Sequence, residues 1–271
     1  MSRPDGRKND EHRKVEIEVG GLARVDGSAR FSFGGWFKSN VDKTLTRILK
    51  RGGCRALASV TGPVEVRQLI ELPDRATFEV AVRPIAGVPA TPEKALAKHI
   101  HDVLQPTLLL NQHPRSLVQL TILSLSPSPS PAPTFSSESY SLAGPHPACF
   151  AAAHVNAATL ALLNAASIPM HGVVCAVAVG ISDRGATVLD PADGECVRAG
   201  CFAFFFSEAE ASEGEIVWAD WKGTTTKEEY ERAVKLARTG ARQILSSIRE
   251  SLLVKGKYIS KPPVEPTMDL S

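Results

Sequence analysis

Residues 148–167, ACFAAAHVNAATLALLNAAS, are apolar nearly all the way round a helix. A helix with one apolar stripe lies on a core, whereas one apolar on every side has to lie inside it. This stretch therefore predicts a buried helix, and the rest of the chain must supply its cover. With 271 residues there is enough chain for one large domain or two small ones. An unbroken run of about 18 apolar residues does not occur, so no membrane contact is expected.

The cover reads mainly as strands. Val15, Ile17 and Val19 alternate with Glu16 and Glu18, the period of a half-buried strand. Asp26-Gly27 is a hairpin turn signal, with ARFSF as the returning strand. Further strands are expected at 55–62, 76–84 and 116–125 before the buried helix, and at 172–182, 185–190, 197–206 and 215–221 after it. Between 76–84 and 116–125 lies TPEKALAKHIHDVLQP, with Thr91 as the expected N-cap, Pro92 at the first helical position, and Leu96, Ile100, Val103 and Leu104 on one face. A long amphipathic helix closes the chain from about Thr226, where Thr226 and Glu229 have capping-box spacing. Its stripe is Tyr230, Val234, Ala237, Ile244, Ile248 and Leu252. Sheets followed by helices, twice over, predict an α+β protein built of two similar β-sheet-plus-helix modules.

The expected organisation is a polar N-terminal segment (1–14), one domain (15–258) and a C-terminal tail (259–271). Two stretches look inserted into that domain. Residues 35–54 separate strands that would otherwise meet in a short hairpin, and combine helical apolar spacing with basic residues. Residues 126–147 are rich in Pro and Ser, as a flexible surface loop would be.

The formal charge of +2 is too small to imply nucleic-acid binding, so any such contact must come from local patches. Arg67 and Arg83 lie at strand ends, and Lys94 and Lys98 share a helix face at i,i+4; these four could track a phosphate backbone. The five cysteines (54, 149, 175, 196 and 201) include no CxxC pair, which favours free buried thiols and a reducing compartment. No GxGxxG, GxxxxGK[ST] or GxSxG motif occurs. His99 and His101, two apart on a helix, point to nearly opposite faces and cannot share a metal ion. His154, inside the apolar helix, reads as a hydrogen-bonded core histidine. Neither a metal nor a cofactor is expected.

Several stretches, in order, resemble the RNase PH superfamily and in particular subunits of the eukaryotic exosome ring. These are ARVDGSARFSFG, ALASVTGPVEV, the run from ELPDRATFEVAVRPIAGVP to PTLLL, QHPRSLVQLTILSL, HVNAATLALLNAASIPM and GATVLDP. RPDGR, at 3–7, is typical of a sister subunit of that ring. The resemblance implies a ribosomal protein S5 domain 2-like fold. It implies a place in a six-membered ring of PH-like subunits, capped by RNA-binding proteins, through which single-stranded RNA threads during 3′–5′ processing and degradation, including rRNA maturation and mRNA turnover. Nucleus, nucleolus and cytoplasm are the implied locations.

Active members of the family hold inorganic phosphate on a Gly-Gly-Thr-Arg-Thr-like stretch at the start of the central helix. Here the corresponding positions are Ala148, Cys149, Phe150 and Ala151, with neither the glycines, the hydroxyl nor the arginine. Asp190 stands where the family places the first of two acidic residues, and Glu195 is the nearest match for the second. Both are vestigial catalytic candidates. Pro191, Asp193 and Gly194 make their segment a tight turn, in which carboxylates are normally solvated. The expected function is a non-catalytic ring subunit; the alternative is an active phosphorolytic 3′–5′ exoribonuclease.

Overall fold

In a computed structural model of the chain, the described residues are 3, 6–34, 53–127, 147–182, 185–192, 195–196, 198–207 and 213–259. They form two β-sheets and three α-helices. The first sheet contains β1 (Val15–Val19), β2 (Gly27–Phe33), β3 (Cys54–Glu65), β4 (Thr77–Arg83) and β5 (Ser116–Ser124) in the order β1-β2-β3-β5-β4. All its pairs are antiparallel except β4 with β5, which are joined by the crossover helix α1 (Thr91–Leu104). The second sheet is antiparallel, in the order β7-β6-β8-β9, from β6 (Gly172–Ile181), β7 (Thr187–Leu189), β8 (Arg198–Ser207) and β9 (Glu215–Lys222).

The apolar stretch is helix α2 (Pro147–Ala165), packed against β2 and β3 of one sheet and β6 and β8 of the other. By length and composition α2 could cross a bilayer, which the search for an unbroken apolar run missed; its surface is instead covered by protein. Its alanines let both sheets approach closely, while Phe31, Phe33, Phe202 and Phe204 fill the space between layers. Gly27 belongs to this packing. It opens β2 instead of making a turn, and a Cβ there would lie 2.3 Å from the Ala161 carbonyl oxygen. Asn156 of α2 brackets the Ala176 backbone of β6 with two bonds (2.7 and 2.8 Å), beyond the reach of the short strand β7.

Helix α3 (Lys227–Ile259) covers β6 and β7 with its apolar stripe. Its capping box forms as expected, from the Glu229 N–H to Thr226 Oγ1 and from the Thr226 N–H to Glu229 Oε2. At α1 the cap is displaced by one residue: Ala90 is the N-cap, and its N–H donates to Glu93 Oε2 at 2.9 Å. β3 also runs beyond the expected 55–62, resuming its pairing with β5 past an irregularity between Thr61 and Val64.

β2 and β3 pair down to Phe33 opposite Cys54, so Cys54, placed at the end of the first inserted stretch, is a buried strand residue. Residues 35–52 and 128–146, the bulk of both inserted stretches, lie outside the described residues.

Candidate functional site

The acidic position sits where the second sheet meets the start of α2. Asp190 follows β7 directly, in a left-handed conformation (φ +49°) that Asp tolerates better than most residues, and its N–H donates to the Ala178 carbonyl at 2.8 Å. Pro147–Phe150, the first turn of α2, stands beside it, and the Cys149 thiol donates to Asp190 Oδ1 (3.3 Å) and the Pro191 carbonyl (3.2 Å).

The expected turn closes, with the Glu195 N–H donating to the Ala192 carbonyl at 3.1 Å, but its carboxylates are not solvated. Asp190 is 2% exposed. Arg13 reaches it with its backbone N–H (3.0 Å to Oδ2), its Nε (2.7 Å to Oδ2) and its Nη2 (2.6 Å to Oδ1). A further guanidinium, Arg7, lies 3.7 Å from Oδ2. Glu195 is held the same way by Arg3, whose Nε and Nη2 pair with its two oxygens at 2.6 and 2.7 Å, while the Ala192 N–H donates to Oε2. Arg3 also reaches the carbonyls of Leu189 and Asp190. Carboxylates leave water when bidentate guanidinium partners replace it, and the N-terminal segment supplies three arginines. Asp193 is outside the described residues.

Electrostatics follow from those partners. Burial by itself would push the Asp190 pKa up, but the charge and hydrogen bonds of Arg13 outweigh it and hold the carboxyl below its usual range. Glu195 is likewise lowered: burial opposes, and Arg3 and the Ala192 N–H prevail. The Cys149 thiol is pushed well up by burial, by the neighbouring Cys54 thiol and by Asp190, so it stays a neutral S–H donor. All five cysteines are buried and free.

A general acid needs a proton at working pH, and so a carboxyl pKa raised toward neutrality. Asp190 is shifted the other way. A metal ligand needs a free lone pair, and a carboxylate offers about four acceptor sites. Three Arg13 N–H groups and the Cys149 S–H occupy them here. On the α2 side, Ala148, Cys149, Phe150 and Ala151 are all buried and offer no charge to an anion.

The four cations singled out for RNA do not converge. Arg67 follows the end of β3 that lies level with Thr77 through Leu117, whereas Arg83 ends β4 at the far side of the sheet, beside Leu123. At about 3.3 Å per residue the length of β4 puts roughly 20 Å between those levels. Lys94 lies in the first turn of α1, at the Arg83 end, and Lys98 pairs with Asp102 at 2.7 Å. All four are exposed. His99 packs on Trp218 and His101 on Phe78, apart as expected. Sequence reasoning missed Arg3, Arg7 and Arg13. Arg3 and Arg7 stood in the RPDGR stretch noted only for its likeness to a sister subunit, and Arg13 in a segment read as polar.

Two sheets closed around a central helix, with an acidic residue after the β6–β7 hairpin facing the helix start, define an RNase PH-like protein. The chain belongs to the 3′ exoribonuclease (RNase PH) family, whose domain 1 pattern matches residues 11–168. Among curated relatives, Schizosaccharomyces pombe exosome complex component rrp46 is 24% identical over 86% of this chain and 87% of its own. Thermococcus gammatolerans exosome complex component Rrp41 is 31% identical over 95% and 90%. Rice Rrp46 superposes with a TM-score of 0.71 at 21% identity, covering 93% of this chain and all of that one. A chain of an archaeal exosome core gives 0.64 at 17%, covering 92% and 91%.

Proposed function

We propose that this protein is a non-catalytic RNase PH-like subunit of an RNA exosome ring, which scaffolds the ring and touches RNA during 3′–5′ processing and degradation. One observation carries the non-catalytic part: every acceptor site of Asp190 is taken up within the protein, opposite a helix start with no charged side chain for phosphate. Names of relatives and superposed chains, all exosome components, support the ring. Other PH-like subunits and RNA-binding caps are the proposed partners, in the nucleus, nucleolus and cytoplasm. Within the family we assign the chain to the Rrp46 type (component 5) over the Rrp41 type (component 4). EVAVRPIAGVP, the short LDP in place of a longer acidic run, and the rice Rrp46 superposition support that choice.

Phosphorolysis attacks the terminal phosphodiester with inorganic phosphate, so the test is direct. Purified protein with RNA, phosphate and Mg²⁺ should release no nucleoside diphosphate above background. Release that disappears in Asp190→Ala establishes the competing reading, an active exoribonuclease, which 31% identity to archaeal Rrp41 favours. RNA contact is assigned to Arg83 and Lys94 at one end of the first sheet, with Lys98 beside them and Arg67 as a separate contact. In the assembled ring, Arg83→Ala with Lys94→Ala should lower the log–log salt slope by about 0.7 for each RNA phosphate that is no longer neutralised.

A further inference from the structure

The N-terminal segment is polar in composition, yet its arginines are not in water. The side chains of Arg3, Arg7 and Arg13 are 3%, 12% and 12% exposed, and all three turn toward the same two carboxylates. Backbone contacts reinforce the side chains. The Leu189 N–H donates to the Asn9 carbonyl at 2.8 Å, Arg3 Nη1 donates to Leu189 O at 2.8 Å, and Gly6 N–H closes a turn on Arg3 O. Leu189 ends β7, an edge strand of the second sheet, so the segment pairs a strand edge that would otherwise stand open. Two residues beyond Arg13 the chain enters β1, an edge strand of the first sheet. The segment thus ties the two sheets together at their edges. Asp190 is the node: it bonds the segment through Arg13, strand β6 through its own N–H, and α2 through Cys149.

We propose that Arg3 and residues 6–13 form a conformational latch keyed on Asp190. Closed, it fixes the residues after β7 and the first turn of α2. When the bonds to Asp190 break, the N-terminal segment, the residues after β7 and the Cys149 thiol become mobile together. The acidic residue that marks the family is, in this chain, the catch of a structural lock. Nothing in the latch depends on RNA or on phosphate.

The test uses the full chain without RNA. Amide hydrogen exchange is followed in peptides covering 6–14, 185–192 and 54–65, together with alkylation of Cys149, for the parent, Asp190→Asn and Glu195→Gln. In Asp190→Asn, exchange in 6–14 and 185–192 and labelling of Cys149 should each rise at least 10-fold, with 54–65 unchanged. Faster exchange in 6–14 alone, or no change anywhere, overturns the latch. Glu195→Gln frees only the Arg3 end, so exchange in 6–9 should rise a few-fold with Cys149 still protected. Should Asp190→Asn also lose protection at 54–65, Glu195→Gln decides: no local rise at 6–9 overturns the proposal. Phosphorolytic activity, measured separately, bears on the non-catalytic reading and leaves these exchange rates untouched.

Discussion

The two walls of the acidic corner differ in what they present to each other. On the α2 side, Ala148, Cys149, Phe150 and Ala151 are small or apolar and buried, so no side chain there offers charge to an anion. On the β7 side the carboxylate is present, ionised and fully engaged by Arg13 and Cys149. One wall lacks the residue types; the other has the residue type with its capacity spent. A side chain's identity therefore sets what it could do, and its bonded partners set what it does.

The sharpest way to break this comparison is to take the partner away. Arg13→Met leaves a buried carboxylate with only the more distant Arg7 guanidinium, 3.7 Å from Oδ2, as counter-charge, which costs about 3 kcal/mol. For a chain of this size that is a fall in Tm of about 10 °C. Replacing both partners, Arg13→Met with Asp190→Leu, should recover most of the loss, because the uncompensated charge goes with the second change. A single-variant loss below about 1 kcal/mol would mean that water reaches Asp190 as it does an ordinary turn carboxylate. On the proposed non-catalytic reading, nucleoside diphosphate release should stay at background in Arg13→Met, since the other wall still has no charged side chain for phosphate.

A smaller effect separates the walls by pH. His154, two turns into α2, donates from Nδ1 to the Phe150 carbonyl (2.7 Å), and its Nε2 meets the Ser124 hydroxyl (2.8 Å), which donates to it while the ring is neutral. Burial pushes its pKa down to about 4, against the opposing pull of the Phe150 carbonyl. The unfolded chain takes up that proton near pH 6.5 and the folded chain does not. Stability therefore falls as pH drops from about 6.5 to about 4, by roughly 3 kcal/mol at 1.36 kcal/mol per unit. His154→Gln should flatten denaturant-derived stability over this window. Asp190 acts elsewhere on the scale. Its folded pKa lies below the unfolded value near 3.9, so its contribution is complete above that pH and is lost only in stronger acid. A slope between pH 6.5 and 4 that survives His154→Gln would show that the α2 wall does not own this window.

What could be read in advance divides along the same line. The buried helix, the alternating strands and the Thr226–Glu229 cap were legible because each is written within about a dozen neighbouring residues. Thr91 misled by one position because Glu93 can satisfy the Ala90 N–H without any hydroxyl at the N-cap. Gly27 looked like a turn residue, but its lack of a Cβ serves the approach of Ala161 from 134 residues away. The place of Asp190 was readable from its hairpin and its state was not, since Arg13 is 177 residues distant and nothing local announces the pairing. Arg67 and Arg83, close in sequence, are separated by the length of β4, which only the strand pairing reveals.

The smallest effect tests whether the two walls are independent. Cys149 is the α2 side chain that bonds to Asp190, through a thiol that burial keeps neutral. An S–H is a weak donor, and Arg13 alone supplies three stronger N–H bonds to the same carboxylate. Cys149→Ala removes a small buried group and the one S–H shared between Asp190 and the Pro191 carbonyl, and should cost about 1 kcal/mol, within the range for losing one hydrogen bond. Arg13 should keep the carboxylate ionised, so acid unfolding below pH 4 should keep its midpoint and slope. Cys149→Ser restores a hydroxyl donor at the same place, but the shorter bond from oxygen leaves it short of the Asp190 and Pro191 oxygens, so it should fall between alanine and the parent. Paired thermal and acid melts of the three proteins decide the matter. A loss of about 3 kcal/mol or more for Cys149→Ala, with an upward move of the acid midpoint, would show that the α2 wall holds the Asp190 charge in place as firmly as Arg13 does, and the walls would then be a single unit.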